Sequence, residues 1–263
     1  MIRVCVSGAA GRMGRKVLNA VAADPELHLA GGADPVAGGA PLSSLGTACD
    51  AMLHGTLSDC IADARPDVVV DFTRPDAVKQ NIRIGLESGV HMVVGTTGLG
   101  QDDLAEFEDV MKARGANLFV APNFAIGAIL MMRFSEIAAK YFPDAEIIEL
   151  HHNAKADAPS GTSLKTAGQI SAARREEPAG NPGGRELVPG ARGGRVDDVP
   201  IHSVRLPGLV AHQEVIFGGT GETLSVRHDS MDRSSFMKGV LLAIKAVPNL
   251  PGLTFGLERV LEL

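Results

Sequence analysis

Apolar and polar positions follow two rhythms along the first 120 residues, and each change of rhythm marks a new element. Residues 2–7 carry buried-type positions at Val4 and Val6 and predict a strand; residues 13–23 repeat with helical spacing. A second strand over 27–34 ends in an acid, Asp34. Asp67-Val68-Val69-Val70-Asp71-Phe72 is apolar almost throughout and bounded by Pro66 and Pro75, as expected of a central parallel strand covered on both faces. Pro75 stands where a helix over 76–88 would begin. Strands over 91–95 and 117–121 flank a helix over 102–114. Strand and helix therefore alternate at the spacing of βαβ units, which predicts an α/β fold with a Rossmann-like, doubly wound parallel sheet. Ligands of such sheets sit at the carboxyl ends of the strands.

The second half reads differently. Helices are expected over 126–139 and 163–174, and a strand over 145–150. Residues 177–200 are rich in Gly, Pro and Arg and read as one long loop. Three strand-like segments follow, 201–206, 211–217 and 222–228, whose closeness suggests antiparallel hairpins, and residues 235–246 form a last helix. The expectation is an α+β domain on a mixed or antiparallel sheet.

Composition narrows the function classes. The net charge of -6 and the 4% aromatic content, without Trp, argue against a nucleic-acid partner. No apolar run approaches the ~18 residues of a membrane helix, and the N-terminus enters a strand directly, so a soluble cytoplasmic protein is expected. Three cysteines, Cys5, Cys49 and Cys60, without a CxxC pair predict neither a disulfide framework nor a zinc site.

Ser7-Gly8-Ala9-Ala10-Gly11-Arg12-Met13-Gly14 lies between the first strand and the first helix. Gly8 suits the tight turn, Gly11 the close approach of a pyrophosphate, and Gly14 the packing of helix on strand. Arg12 adds a charge for phosphate. Asp34 lies twenty residues beyond Gly14, the offset of an acid that binds a ribose. Its carboxylate favours NADH over NADPH, and Pro35 offers no cation to a 2′-phosphate, although Arg12 or a distant cation leaves NADPH open. Asp71-Phe72-Thr73, Gly95-Thr96-Thr97-Gly98 and Ala121-Pro122-Asn123-Phe124 occupy other strand ends, with hydroxyls, an Asn for a carboxamide and a Phe for a ring.

The stretch Glu149-Leu150-His151-His152-Asn153-Ala154-Lys155-Ala156-Asp157-Ala158-Pro159-Ser160-Gly161-Thr162 concentrates the remaining chemistry. Adjacent residues on a strand face opposite ways, so His151 and His152 do not form a chelating pair, and no metal is expected. A histidine donates a proton near neutral pH, Lys155 supplies a cation, and Ser160, Gly161 and Thr162 resemble a helix start that cradles a carboxylate. Asp157 suits local bonds that fix the loop. A small dicarboxylate that must be protonated fits this set. An aspartate or homoserine dehydrogenase, or a nucleotide-sensing protein without turnover, would share the glycine triplet but has no need of the histidine segment.

That segment matches throughout the pattern E-x-H-H-x-x-K-x-D-A-P-S-G-T, and the chain there resembles the 4-hydroxy-tetrahydrodipicolinate (dihydrodipicolinate) reductase family. The likeness runs on through Gly8–Gly14, the strand-end segments, Arg205-Leu206-Pro207-Gly208, His212, His228 and Arg233. It implies a dinucleotide-binding domain over 1–122 completed by 237–263, and a substrate-binding and oligomerisation domain over 123–236 that builds a homotetramer. It implies reduction of 4-hydroxy-tetrahydrodipicolinate, via dihydrodipicolinate, by NADH or NADPH in lysine and diaminopimelate synthesis. The family's proton donor falls on His151 and its second catalytic residue on Lys155, with substrate contacts at His152, Gly161 and Thr162. Cofactor contacts fall on Gly8, Ala9, Ala10, Gly11, Arg12, Met13, Asp34, Gly95, Thr96, Thr97, Ala121, Pro122, Asn123 and Phe124.

Overall fold

The computed structural model describes residues 1–180 and 184–263. The chain forms two compact units, Met1–Phe124 with Phe236–Leu263, and Ala125–Ser235.

The first unit begins with β1 (Ile2–Ser7), α1 (Arg12–Ala23) and β2 (Leu27–Ala33). A stretch without a legible periodicity then supplies β3 (Ala40–Pro41), β4 (Met52–His54) and α2 (Leu57–Ala64), the helix opened by Thr56, whose hydroxyl accepts from Asp59 N. There follow β5 (Val68–Asp71), α3 (Pro75–Glu87), β6 (His91–Val94), α4 (Gln101–Arg114) and β7 (Leu118–Val120).

The second unit contains α5 (Ile126–Ala138), β8 (Asp144–His151), α6 (Gly161–Ala173), β9 (Gly194–Val196), β10 (Val199–Arg205), β11 (Ala211–Gly219) and β12 (Glu222–Ser230). The chain then returns to the first unit with α7 (Met237–Ala246) and β13 (Leu253–Phe255).

The first sheet has the order β13-β7-β6-β5-β1-β2-β4-β3 and is parallel except for the β3–β4 pair. This is a Rossmann-like sheet. Cys5, Val69, Met92, Val94 and Leu118 pack on one face with Cys60, Ile82, Leu86 and Phe107 from the helices. Val4, Val6, Val68, Val70 and Val93 are equally buried and point to the other face. Burial on both faces explains why β5 reads as an unbroken apolar run. A hydrogen bond to Cys60, reinforced by burial, pushes the Cys5 thiol far up and leaves it a neutral core group. The C-terminal return is anchored by Asn117, whose amide donates to Val247 O at 2.9 Å and whose Oδ1 accepts from Gly252 N at 3.1 Å. Lys245 pairs with Asp24 at 2.9 Å and Glu26 at 2.5 Å beside the start of β2.

The second sheet has the order β12-β11-β8-β10-β9 and is mixed. Two expectations change here. Residues 177–200 are not one loop, because β9 and the start of β10 lie within them; residues 181–183 of that stretch lie outside the described residues. Nor do β10 and β11 form a hairpin. β8 lies between them, parallel to β10 and antiparallel to β11, whereas β11 and β12 are the hairpin. The apolar alternation of β8 is the reason. Ala145 and Ile147 reach into a core shared with Ala167 and Ile170 of α6 and with Ile201, Val215 and Phe217 of the flanking strands, which favours the central position.

The glycine loop is sterically defined. Gly8 has φ +78, and a Cβ on Gly14 would stand 2.0 Å from Gly8 O and 2.8 Å from Ala9 Cα. Gly14→Ala is expected to cost about 1–3 kcal/mol or more, as overpacking does, and to weaken nucleotide binding. Gly55→Ala, where a Cβ meets nothing within 4 Å, is the control. Thermal unfolding of both variants checks this, and equal melting temperatures would refute it.

Candidate active site

One cluster of candidate residues lies on the carboxyl edge of the first sheet. The Gly8–Gly14 loop follows β1, Asp34 follows β2, Phe72-Thr73 follow β5, Gly95-Thr96-Thr97 follow β6, and Ala121-Pro122-Asn123-Phe124 follow β7. These strands are neighbours in the order β2-β1-β5-β6-β7, so the segments span roughly 19 Å at ~4.8 Å per strand. That length and the switch point at β1 suit an extended dinucleotide.

The loop's backbone donors are largely assigned. Gly8 and Ala9 N–H both donate to Ala33 O, at 2.9 and 3.2 Å, and Gly11 N donates to Gly8 O at 3.0 Å. Ala10 N donates to Asp34 Oδ2 at 3.0 Å. The first-turn amides of α1, from Arg12 and Met13 onward, are the donors that point out of the helix, and no side chain caps Gly11. Ala9 is fully buried and shapes the turn, while Arg12 is exposed beside it. Asp34 also accepts from Val36 N at 3.0 Å, so its carboxylate ties the glycine loop to the end of β2.

Asp71 does for β5 and β6 what Asp34 does for β1 and β2. It is fully buried. Its Oδ1 accepts from Thr73 N, Thr73 Oγ1 and Thr96 Oγ1, at 3.0, 2.7 and 2.9 Å, and its Oδ2 from Asn81 Nδ2 at 2.8 Å. This fixes Thr96, whereas Thr97 is exposed. Gly95 is required by the Phe72 ring, which an added Cβ would meet at 2.1 Å. Phe124, expected against a ligand ring, is 3% exposed and packs on Phe72 and Phe119, with ring centres 5.7 and 6.1 Å away. Ala121 is buried beside it, while Pro122 is exposed and Asn123 partly so. Asn81 is a participant that sequence reading missed; its place on the buried side of α3, ten residues after Asp71, was its only signal.

A separate cluster lies in the second unit, where β8 ends. Period-two alternation places Ile147, Glu149 and His151 on one face of β8. Past Ile147 the apolar layer gives way to a polar one. Glu149 is fully buried and Gln213, its partner on β11, is nearly so. Ser160 is the N-cap of α6. Its hydroxyl accepts from Ser163 N at 3.2 Å and bonds Ser163 Oγ at 2.8 Å, and Ser163 Oγ donates to Gln213 Oε1 at 2.8 Å. Gln213 donates to Thr166 Oγ1, which donates to Thr162 O, both at 2.8 Å. Ser160, expected as a ligand donor, is thus only 3% exposed and holds the helix start in place. Gly161 is exposed, with nothing within 4 Å of an added Cβ, and Thr162 is half-buried beside it.

His151 Nδ1 lies 2.5 Å from Glu149 Oε2. Arg205 of β10, in register with His151, clasps Glu149 through both guanidinium NH groups at 2.9 and 2.7 Å. It also donates to Asp157 O at 2.8 Å, which fastens the loop after β8. Burial pulls the His151 imidazole below its ordinary value; the Glu149 carboxylate opposes this, and the Lys155 and Arg205 cations add to it. Burial pushes Glu149 up, but the bonds from Arg205, Ser203 and His151 outweigh it and keep the carboxyl ionised. The Lys155 ammonium grips both oxygens of Asp157, at 2.7 and 2.8 Å. His152 is half-buried and its carbonyl accepts from Lys155 N at 3.1 Å, closing the turn between them. Among the described residues no three His, Cys, Asp or Glu side chains are grouped to hold a metal ion, and no helix is long and apolar enough to cross a membrane.

The sequence matches the family models for the N-terminus of dihydrodipicolinate reductase over residues 2–124 and for its C-terminus over residues 127–261. The chain belongs to the dihydrodipicolinate reductase family. It is 46% identical to the 4-hydroxy-tetrahydrodipicolinate reductase of Bacillus licheniformis over 262 residues, covering 99% of this chain and 98% of the relative. It is 47% identical to that of Geobacillus kaustophilus over 263 residues, with 99% of each chain covered. The solved structure of dipicolinate-bound dihydrodipicolinate reductase from Paenisporosarcina sp. TG-14 superposes with a TM-score of 0.87 at 42% identity, covering 98% of this chain and 99% of that one. Amine dehydrogenase from Mycobacterium smegmatis, at 14% identity and a TM-score of 0.66, shares the fold alone, with 96% of this chain and 94% of that one covered.

Proposed function

We propose that this chain is a reductase of 4-hydroxy-tetrahydrodipicolinate, acting through dihydrodipicolinate to give tetrahydrodipicolinate in lysine and diaminopimelate synthesis. The observation that carries the reading is the Glu149–Thr162 segment: a histidine backed by a buried carboxylate, an adjacent lysine, and a capped helix start. In this reading residues 1–122 and 237–263 bind the nucleotide, and residues 123–236 bind substrate. A pyridine nucleotide fits the first unit, where glycines at 8 and 14 let the loop close tightly on β5 and on itself and α1 presents uncapped amides.

The nucleotide supplies a hydride. The protein's own residues do the rest. The first-turn amides of α1 and Arg12 hold phosphate, Asp34 the ribose, and Thr96, Thr97, Pro122 and Asn123 line the nicotinamide end, with Ala121 and Phe124 packed behind them. Lys155 exchanges Asp157 for a substrate carboxylate. The amides of Gly161 and Thr162 and the His152 ring hold the other polar edge, with Ser160 fixing that helix start. His151 delivers a proton from Nε2 to the electron-rich ring left by hydride addition, and Lys155 stabilises the charge that develops.

We also assign a homotetramer in the cytoplasm. Free thiols at Cys5, Cys49 and Cys60 suit a reducing compartment. The nine-residue edge strand β12 and exposed Phe134, Ile137 and Leu224 in the second unit suit assembly between copies. Light scattering should give four times the chain mass of 27.4 kDa, and a monomer at working concentration would refute it.

His151→Ala is expected to lower kcat by the ~10²–10⁴-fold of a lost general acid while leaving nucleotide affinity unchanged. The assay supplies freshly made precursor from pyruvate and aspartate semialdehyde and follows the loss of reduced-nucleotide absorbance; full activity would remove His151 from the mechanism. The acid must be protonated to act, and burial depresses it in the free enzyme. kcat/KM should therefore fall as pH rises through a value below about 6.5. A dianion in the complex favours the imidazolium, so kcat should hold to higher pH. A kcat/KM flat from pH 5 to 8 would contradict this.

Asp34 accepts from two backbone amides and is followed by Pro35, so a 2′-phosphate meets a fixed negative charge. NADH is expected to bind more tightly than NADPH. Calorimetry giving the reverse order would overturn this preference.

A further inference from the structure

Glu149 and Arg205 form an ion pair at the end of β8, and Arg205 also holds the following loop through Asp157 O. Glu149 sits fully buried at the carboxyl end of a central strand, among positions otherwise filled by Ala145, Ile147, Ile201 and Val215. A buried ion pair is costly to desolvate, and an apolar pair of the same volume would often be as stable. The pair is therefore explained by what it does to a neighbour. Arg205 fills both carboxylate oxygens from one side, at 2.7 and 2.9 Å, which leaves the carboxylate one orientation. Oε2 then meets His151 Nδ1 at 2.5 Å. Because the carboxylate only accepts, Nδ1 must carry a hydrogen and donate it.

We infer that Arg205 and Glu149 are positioning residues for His151, locking its ring with Nδ1–H on Glu149 so that Nε2 is the nitrogen that gives and regains a proton. This rests on the role proposed for His151 and adds which nitrogen works and what holds it. The guanidinium orients the carboxylate, and the carboxylate orients the imidazole and steadies its protonated form. Both steps follow from the register. Ser203 and Arg205 of β10 stand opposite Glu149 and His151 because β10 runs parallel to β8, an arrangement a β10–β11 hairpin would not give. The charged groups around the ring are Glu149 from its own strand, Arg205 from β10 and Lys155 from the loop that follows; on β11 the residue opposite is Ala211. One negative neighbour thus faces two positive ones, and the removal of Glu149 leaves only cations.

The test reads the ring directly and needs no substrate. In the wild-type protein, nitrogen-15 resonances of His151 at high pH should show Nδ1 protonated and Nε2 bare, and a low-field Nδ1–H proton should be visible. A neutral ring protonated at Nε2 would overturn the proposal without any variant. In Glu149→Gln the amide NH₂ must face either Arg205 or the ring. The low-field proton should vanish and the His151 titration should move to lower pH. At pH 7, kcat should drop at least tenfold and partly recover as the pH is lowered, with NADH affinity unchanged. Arg205→Lys keeps a cation but loses the two-point grip, and should weaken the same resonance with a smaller loss of rate. An unchanged His151 titration in folded Glu149→Gln would refute the positioning role. A shifted titration with undiminished turnover would leave the lock intact and instead remove His151 from the reaction.

Discussion

A carboxylate taken out of water must receive every hydrogen bond it needs from the chain, and this protein meets that requirement twice at the ends of central strands. Asp71 in the first unit and Glu149 in the second are both fully buried, and both stand at the carboxyl end of a central strand. Each collects donors from its own strand end and from a segment farther along the chain. Asp71 draws in Thr73, Asn81 and Thr96; Glu149 draws in His151 and Arg205. Removing a donor leaves a buried charge short of a partner, at about 1–3 kcal/mol or more, so the loops that carry these donors are held to one arrangement. Asp34, 8% exposed, applies the same rule more mildly, joining the glycine loop to the end of β2.

Most of the first unit is legible from pattern because the physics behind it is local. Gly8, Gly11 and Gly14 are set by distances of a few ångströms within one turn, and the buried residues of α1, Gly14, Val17, Leu18 and Val21, repeat with helical period. The short elements between β2 and β5 escape because a two-residue strand has no period to read, although Thr56 and Asp59 mark the start of α2. β13 escapes for the same reason. Its three residues pair with β7 where Asn117 holds the returning chain.

The second unit shows the limit more sharply. His151, Lys155 and the helix start at Ser160 lie within a dozen residues and are legible as a group. Arg205 lies over fifty residues from Glu149, and its part depends on strand order. Proximity in sequence predicts a hairpin between β10 and β11; burial of the alternating apolar face of β8 decides otherwise. Ser160 and Phe124 show a related gap. Residue type announces a hydroxyl or a ring, but whether it meets a ligand or its own protein depends on packing.

The comparison with distant structures separates what the fold does from what the site does. Amine dehydrogenase from Mycobacterium smegmatis shares the architecture at 14% identity, so the fold tolerates extensive replacement of sequence. Backbone amides and strand spacing, which any sequence of the right pattern provides, account for that tolerance. The role proposed for the segment at the end of β8 leaves less latitude. That role needs a carboxylate with one orientation, a ring with one protonated nitrogen, and a guanidinium placed by a parallel register. Each depends on a particular side chain at a particular strand position. Lysine in place of Arg205 keeps the charge and loses the two-point grip, and glutamine in place of Glu149 keeps the shape and reverses the hydrogen-bond polarity at one of its two oxygens. In the role proposed for His151 the chemistry is specified by side chains at the end of β8, while the fold around it is specified by burial and backbone pairing.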